Sequence, residues 1–159
     1  MKMQKKLSFD TMAIVDAAQS WETLQDLGRR YRHYELILST KVQWDAIKRL
    51  QKPPFNYSEN QAKEQVREVI KTLNLTRKFK DENDEKKGNE LIKKYGPNNL
   101  HYPDSTIIAH MKRIGINIVV TRDGNFKKVA EKEGLKVYYI PTKEVIINQR
   151  VRELFRGRR

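Results

Sequence analysis

Four aspartates, Asp10, Asp45, Asp104 and Asp123, stand where side chains can do chemistry. Three of them fall where a short apolar run gives way to a helix or turn signal. In a chain of net charge +13, carboxylates at such places call for a reason. Carboxylates gathered within a few ångströms repel one another, and at least one pKa rises. A divalent cation removes that repulsion, and a purely oxygen donor set favours Mg²⁺ or Mn²⁺ over zinc. Each aspartate also has a plainer use. Asp10 and Asp104 suit helix caps, and Asp123 suits an Asp-Gly turn. Asp45 is a poor helix-interior residue, but Lys41, Lys48 and Arg49 are near enough in sequence to pair with it. A capping carboxylate can still turn an oxygen outward, so the two uses are compatible.

The elements that must position these side chains are read from periodicity and punctuation. Residues 6–9 (KLSF) read as a strand. Residues 10–27 read as one helix, with Ile14, Val15, Ala18 and Trp21 at helical spacing and Gly28 ending it. Residues 35–38 (ELIL) form a second strand. Ser39 or Thr40 caps a helix to about Leu50, closed by Pro53 and Pro54, and Ser58 caps another over 58–75. Residues 77–90 are almost wholly charged and read as an exposed helix start or a loop, with 89–95 helical and stopped by Gly96-Pro97. Asp104 opens a helix with Ile107, Ile108, Met111 and Ile114 on one face and Gly115 at its end. NIVVT (117–121) follows as a buried strand, 125–133 as a short helix ended by Gly134, KVYYIP (136–141) as a strand and 142–155 as a last helix. Strands alternating with helices predict an α/β fold with a mostly parallel sheet. Sites in such sheets form beyond the carboxyl ends of the strands. If strands 6–9 and 117–121 are neighbours, Asp10, Asp104 and Asp123 converge on one edge.

The length of 159 residues predicts one domain over 1–159, with a basic tail at about 150–159. Lys plus Arg number 33 against 20 Asp plus Glu, which points to a polyanionic partner, nucleic acid first. With no cysteine, disulfides and thiolate metal sites are excluded. No apolar run approaches 18 residues and the start is not signal-like, so the expectation is a cytoplasmic protein with no membrane contact. His33, His101 and His110 match no zinc spacing and are assigned to surface or packing roles. There is no P-loop, GxGxxG or GxSxG. Arg29, Arg30, Arg32, Arg122 and the tail residues Arg156, Arg158 and Arg159 are candidates for phosphate contacts, and Tyr31, Tyr34, Tyr57 and Tyr102 for base stacking.

Three segments carry a family resemblance. FDTMAIVDAA, STKVQWDAIKRL and, most specifically, YPDSTIIAHMKRIGINIVVTRDGNF are similar to the corresponding stretches of PIN-domain nucleases, including the toxin subunits of VapBC-type systems. The resemblance implies a three-layer α/β/α domain with four to five strands in its sheet. It implies that Asp10, Asp45, Asp104 and Asp123 form the acidic site for Mg²⁺ or Mn²⁺, with Thr121 and Thr11 beside it. It implies hydrolysis of RNA, an antitoxin protein as a partner in the toxin case, and homodimers. Two departures stand out. The second acid of the family is usually Glu, so Asp45 is one methylene shorter and reaches an ion directly or through water. Met12 stands where the family is often polar. These departures keep open the alternative of a nucleic-acid-binding module with weak or no catalysis.

Overall fold

The computed structural model describes residues 4–98 and 100–140. Five parallel strands form its sheet: β1 (Lys6–Phe9), β2 (Glu35–Ser39), β3 (Thr76–Lys78), β4 (Ile118–Thr121) and β5 (Lys136–Tyr139). Their order is β3-β2-β1-β4-β5. Burial accounts for that order. β1, β2 and β4 are apolar runs buried along almost their whole length, and they take the centre. β3, Thr-Arg-Lys, is exposed throughout, and β5 is only partly covered, so both take edges. Asn117 sets the register at the amino end. Its Oδ1 accepts from the Lys6 N–H at 2.9 Å, and its backbone bonds Lys6 O and the Lys136 N–H.

The helices are α1 (Thr11–Gln19), α2 (Trp21–Arg30), α3 (Thr40–Leu50), α4 (Glu59–Leu73), α5 (Glu82–Tyr95), α6 (Asp104–Arg113) and α7 (Gly124–Lys132). Helix α1 packs on α2, α3 and α4, and α5 packs along α6. Right-handed connections put α1–α4 on one face and α5–α7 on the other, a three-layer α/β/α arrangement.

Two expectations are corrected. The helix over 10–27 breaks at Ser20, whose backbone is extended. The Ser20 N–H closes α1 on Asp16 O, and its Oγ caps α2 by accepting from the Thr23 N–H at 3.2 Å. Gly28 does not end that segment. It lies inside α2, where an added Cβ would touch Leu73 of α4 at 3.4 Å. The helix start expected in the charged stretch 77–90 is there: after the end of β3, the stretch holds the first turns of α5. Asp81 and Asp84 cap α5 reciprocally, and buried Asp84 takes Arg113 Nε at 2.8 Å and Nη2 at 3.0 Å. The predicted helix over 142–155 and the basic tail lie outside the described residues.

Helices α5 and α6 touch most closely at Gly88. A Cβ there would meet Thr106 Oγ1 at 2.8 Å and the Thr106 backbone N at 2.9 Å. Backbone cannot yield as a flexible side chain does, so Gly88→Ala will cost about 2 kcal/mol. Gly96→Ala, with open space around the added methyl, will stay within about 0.5 kcal/mol of wild type. Urea midpoints of the two variants check the contrast.

Candidate active site

The winding of the chain reverses at the centre of the sheet. From β1 it proceeds to β2 and β3, and from β4 to β5. That switch point opens a crevice beyond the carboxyl ends of β1 and β4. Phe9 is in register with Val120, and the Asp10 N–H donates to Val120 O at 3.0 Å. Asp10 therefore leaves β1 beside the end of β4. It caps α1, its Oδ1 accepting from the Ala13 N–H at 2.9 Å. Its Oδ2 accepts the Thr121 hydroxyl. Thr121 Oγ1 also accepts from the Asp123 N–H at 3.0 Å. One buried hydroxyl thus ties the Asp10 carboxylate to the backbone that carries Asp123. Asp123 in turn caps α7, its Oδ1 accepting from the Asn125 and Phe126 N–H groups at 2.9 and 3.3 Å. Asp104 opens α6, which leads back to the amino end of β4 and so starts at the same edge. It is not a cap: Pro103 holds the cap position, with no side-chain capping bond.

Asp45 lies on α3, and its position is legible through Asp104. The Asp104 carboxyl is pushed up to about 7, by burial first and then by Asp123, Asp10 and Asp45. Asp10 is pushed up to about 6, by burial first, against the opposing hydrogen bonds from Thr121 and Ala13. The four carboxylates share one electrostatic neighbourhood. Among the described residues, no lysine or arginine stands within ion-pair distance of any of them. Arg122, between Thr121 and Asp123 in sequence, is paired with Asp16 at 3.1 Å. Lys41, an expected partner of Asp45, instead bonds the Tyr102 hydroxyl and lies 3.8 Å from Glu85. Its position one turn before Asp45 on the same helix was the available signal that it borders the site.

A hard divalent cation fits this donor set. The donors are carboxylate oxygens only, and among the described residues none of them is in an ion pair; Arg49 and Arg122 act on Asp104 and Asp10 only from a distance. Buried Thr11 Oγ1, next to Asp10 in sequence, has no hydrogen-bond partner among the described residues. As they stand, no three acidic or histidine side chains among the described residues are drawn to ligand spacing. Asp10, Asp104 and Asp123 would hold the ion, with Asp45 alongside.

The other candidates disperse. Arg29 and Arg30 end α2, and Arg32 follows in the turn leading to the amino end of β2, opposite in strand direction to the carboxylates. Arg30 pairs with Asp26 at 3.0 Å. Arg156, Arg158 and Arg159 lie outside the described residues. Tyr31 is buried and stacked on Tyr138, Tyr34 bonds Tyr138 through their hydroxyls, and Tyr57 bonds Gln19. Tyr102 alone of the four tyrosines is exposed. His33 and His101 are exposed, and His110 is buried with Nδ1 2.6 Å from Ser39 Oγ, its pKa lowered chiefly by burial.

A family model described as PIN domain matches residues 8–132. A search among curated proteins finds no relative that matches. The fold is similar to that of VapBC2 from Rickettsia felis, bound in that structure to a DNA fragment from its promoter. The TM-score is 0.64 at 14% identity, covering 85% of this chain and 98% of that one. DNA-bound VapBC from Salmonella typhimurium gives 0.59 at 16% identity, covering 85% and 98%. A domain of a functionally unknown protein from Methanocaldococcus jannaschii gives 0.53 at 16%, covering 87% and 92%. At such identities the likeness is one of fold.

The raised carboxyls make a pH prediction. A carboxyl whose folded pKa lies above its ordinary value adds stability below about pH 4, and that contribution is lost as pH rises through the folded pKa, here about 7 for Asp104. Asp104→Asn mimics the protonated form. In EDTA it will melt above wild type at pH 8 and level with it near pH 4. Thermal melts across that range check the sign, and Mn²⁺ will raise the wild-type melting temperature more than the variant's.

Proposed function

The chain belongs to the PIN domain family, a family of nucleases, and we propose that it is a metal-dependent endoribonuclease hydrolysing phosphodiester bonds in RNA. The observation that carries the proposal is the set of four carboxylates at the switch point, none of which forms an ion pair with a lysine or arginine among the described residues. A bound Mg²⁺ or Mn²⁺ supplies Lewis acidity there, lowering the pKa of a water and stabilising charge that develops on phosphate.

The chain's own residues prepare that chemistry. Asp10, Asp104 and Asp123 would hold the ion, with Asp45 joining directly or through water. Thr121 fixes the orientation of the Asp10 carboxylate and of the Asp123 backbone with one hydroxyl. Asp10 and Asp123 cap α1 and α7, and Asp104 sits in the first turn of α6. The positive ends of three helix dipoles thus favour the ionised carboxylates that an ion requires. His110 is committed to Ser39 inside the protein, so the acids and water are left to handle protons at this edge.

The likeness in fold to VapBC complexes supports a toxin role with an antitoxin protein as partner. Asp45 and Met12 support a second reading, a nucleic-acid-binding module with little turnover.

Purified protein will cleave single-stranded RNA in Mg²⁺ or Mn²⁺ and stop in EDTA. Asp10→Asn and Asp104→Asn will each slow cleavage by roughly a hundredfold or more. Asp45→Glu, which restores the longer carboxylate usual in the family, will retain or raise the rate. Cleavage by Asp104→Asn at the wild-type rate overturns the assignment, and tight RNA binding without cleavage by wild type favours the second reading.

A further inference from the structure

On its β2 side the acid edge continues into a surface where cations and aromatic rings alternate. Lys41 Nζ bonds the Tyr102 hydroxyl and lies 4.2 Å from the ring centroid. Tyr102 stands two residues before Asp104 and is 55% exposed. Glu85 holds Lys80 Nζ at 2.9 Å and Lys41 Nζ at 3.8 Å through one oxygen, while its other oxygen accepts the Thr106 hydroxyl at 3.2 Å. The Lys80 N–H donates to Thr40 Oγ1 at 3.0 Å, which pins the segment after β3 to the start of α3. Phe79, just before it, is 69% exposed, with the Arg77 guanidinium 5.4 Å from its ring.

Two features separate this group from a casual charged surface. The lysines are held in place, since Lys41 is 15% and Lys80 31% exposed along the side chain. Two ammonium groups also share one carboxylate, leaving a net positive charge near the acid edge. A polyanion approaching that edge is repelled by the carboxylates unless cations nearby hold its phosphates. Exposed rings next to fixed cations are the combination that binds single strands without reading their sequence.

We propose that Lys41, Lys80, Tyr102 and Phe79 form a subsite for the nucleotides flanking the cleaved phosphate of single-stranded RNA. Tyr102 and Phe79 stack on bases, and Lys41 and Lys80 neutralise phosphates between them. This inference rests on the ribonuclease reading above.

The test measures binding of a fluorescein-labelled, unstructured RNA oligonucleotide by anisotropy, with Asp104→Asn as the non-cleaving parent. Tyr102→Ala and Phe79→Ala will each weaken binding about tenfold. Tyr102→Phe and Phe79→Tyr, which keep a ring, will keep affinity. Lys41→Ala and Lys80→Ala will each flatten the plot of log K against log salt by about 0.7. Trp21→Ala, at an exposed ring on α2, will bind as the parent does. Circular dichroism melts accompany every variant, and a ring-keeping variant that loses as much affinity as its alanine counterpart overturns the stacking roles. If wild type cleaves RNA in Mn²⁺ while the alanine variants bind unchanged, the subsite is wrong and the nuclease reading stands. If the parent binds no RNA, both fall.

Discussion

Pairing of β1 with β4 is the constraint on which the active edge depends. These two segments are separated by over a hundred residues, yet the Asp10 N–H extends their ladder by one bond onto Val120. That bond sets where the first aspartate leaves the sheet. The Thr121 hydroxyl then reaches Asp10 from the adjacent strand end. A slip of one residue between these strands would turn Thr121 to the other face and separate the carboxylates. Asn117 guards against such a slip from the far end by bonding Lys6 and Lys136.

The same edge is where the fold carries its electrostatic cost. Burial and mutual repulsion raise the carboxyls of Asp10 and Asp104, and helix amino ends offset only part of this. Elsewhere the chain balances its acids closely. Asp84 takes Arg113 through two bonds, and Glu133 gathers the Tyr95 hydroxyl first, then Lys112 and Lys94, which hold it down to about 2 against the opposing effect of burial. Among the described residues, the four at the switch point have no lysine or arginine in ion-pair contact. That contrast within one molecule is the physical argument for a site.

Much of this was legible in the residues, for identifiable reasons. KLSF, ELIL and NIVVT read as strands because central strands must be apolar on both faces. Asp10, Asp104 and Asp123 could be grouped because each follows or precedes such a run. β3 was not legible: Thr-Arg-Lys becomes a strand because the β2 backbone offers it partners, not because of its side chains. The break at Ser20 was hidden because serine both interrupts and caps a helix, and the spacing that seemed to bury Trp21 leaves it 63% exposed. Arg29, Arg30 and Arg32 announced charge but not direction, since a cluster at the amino end of a strand looks the same in sequence as one at its carboxyl end. Likewise Lys41 read as a partner for Asp45, when the tertiary neighbour that claims it is Tyr102.

The outer side of β3 pairs with no other strand among the described residues. Such an unpaired backbone is a template for adding strands from other molecules, the route by which sheets coalesce into fibrils. Here the template is only three residues long and carries Arg77 and Lys78. Stacking copies edge to edge would bring those cations together at a spacing of about 5 Å. Like-charge crowding along such a ribbon opposes its growth.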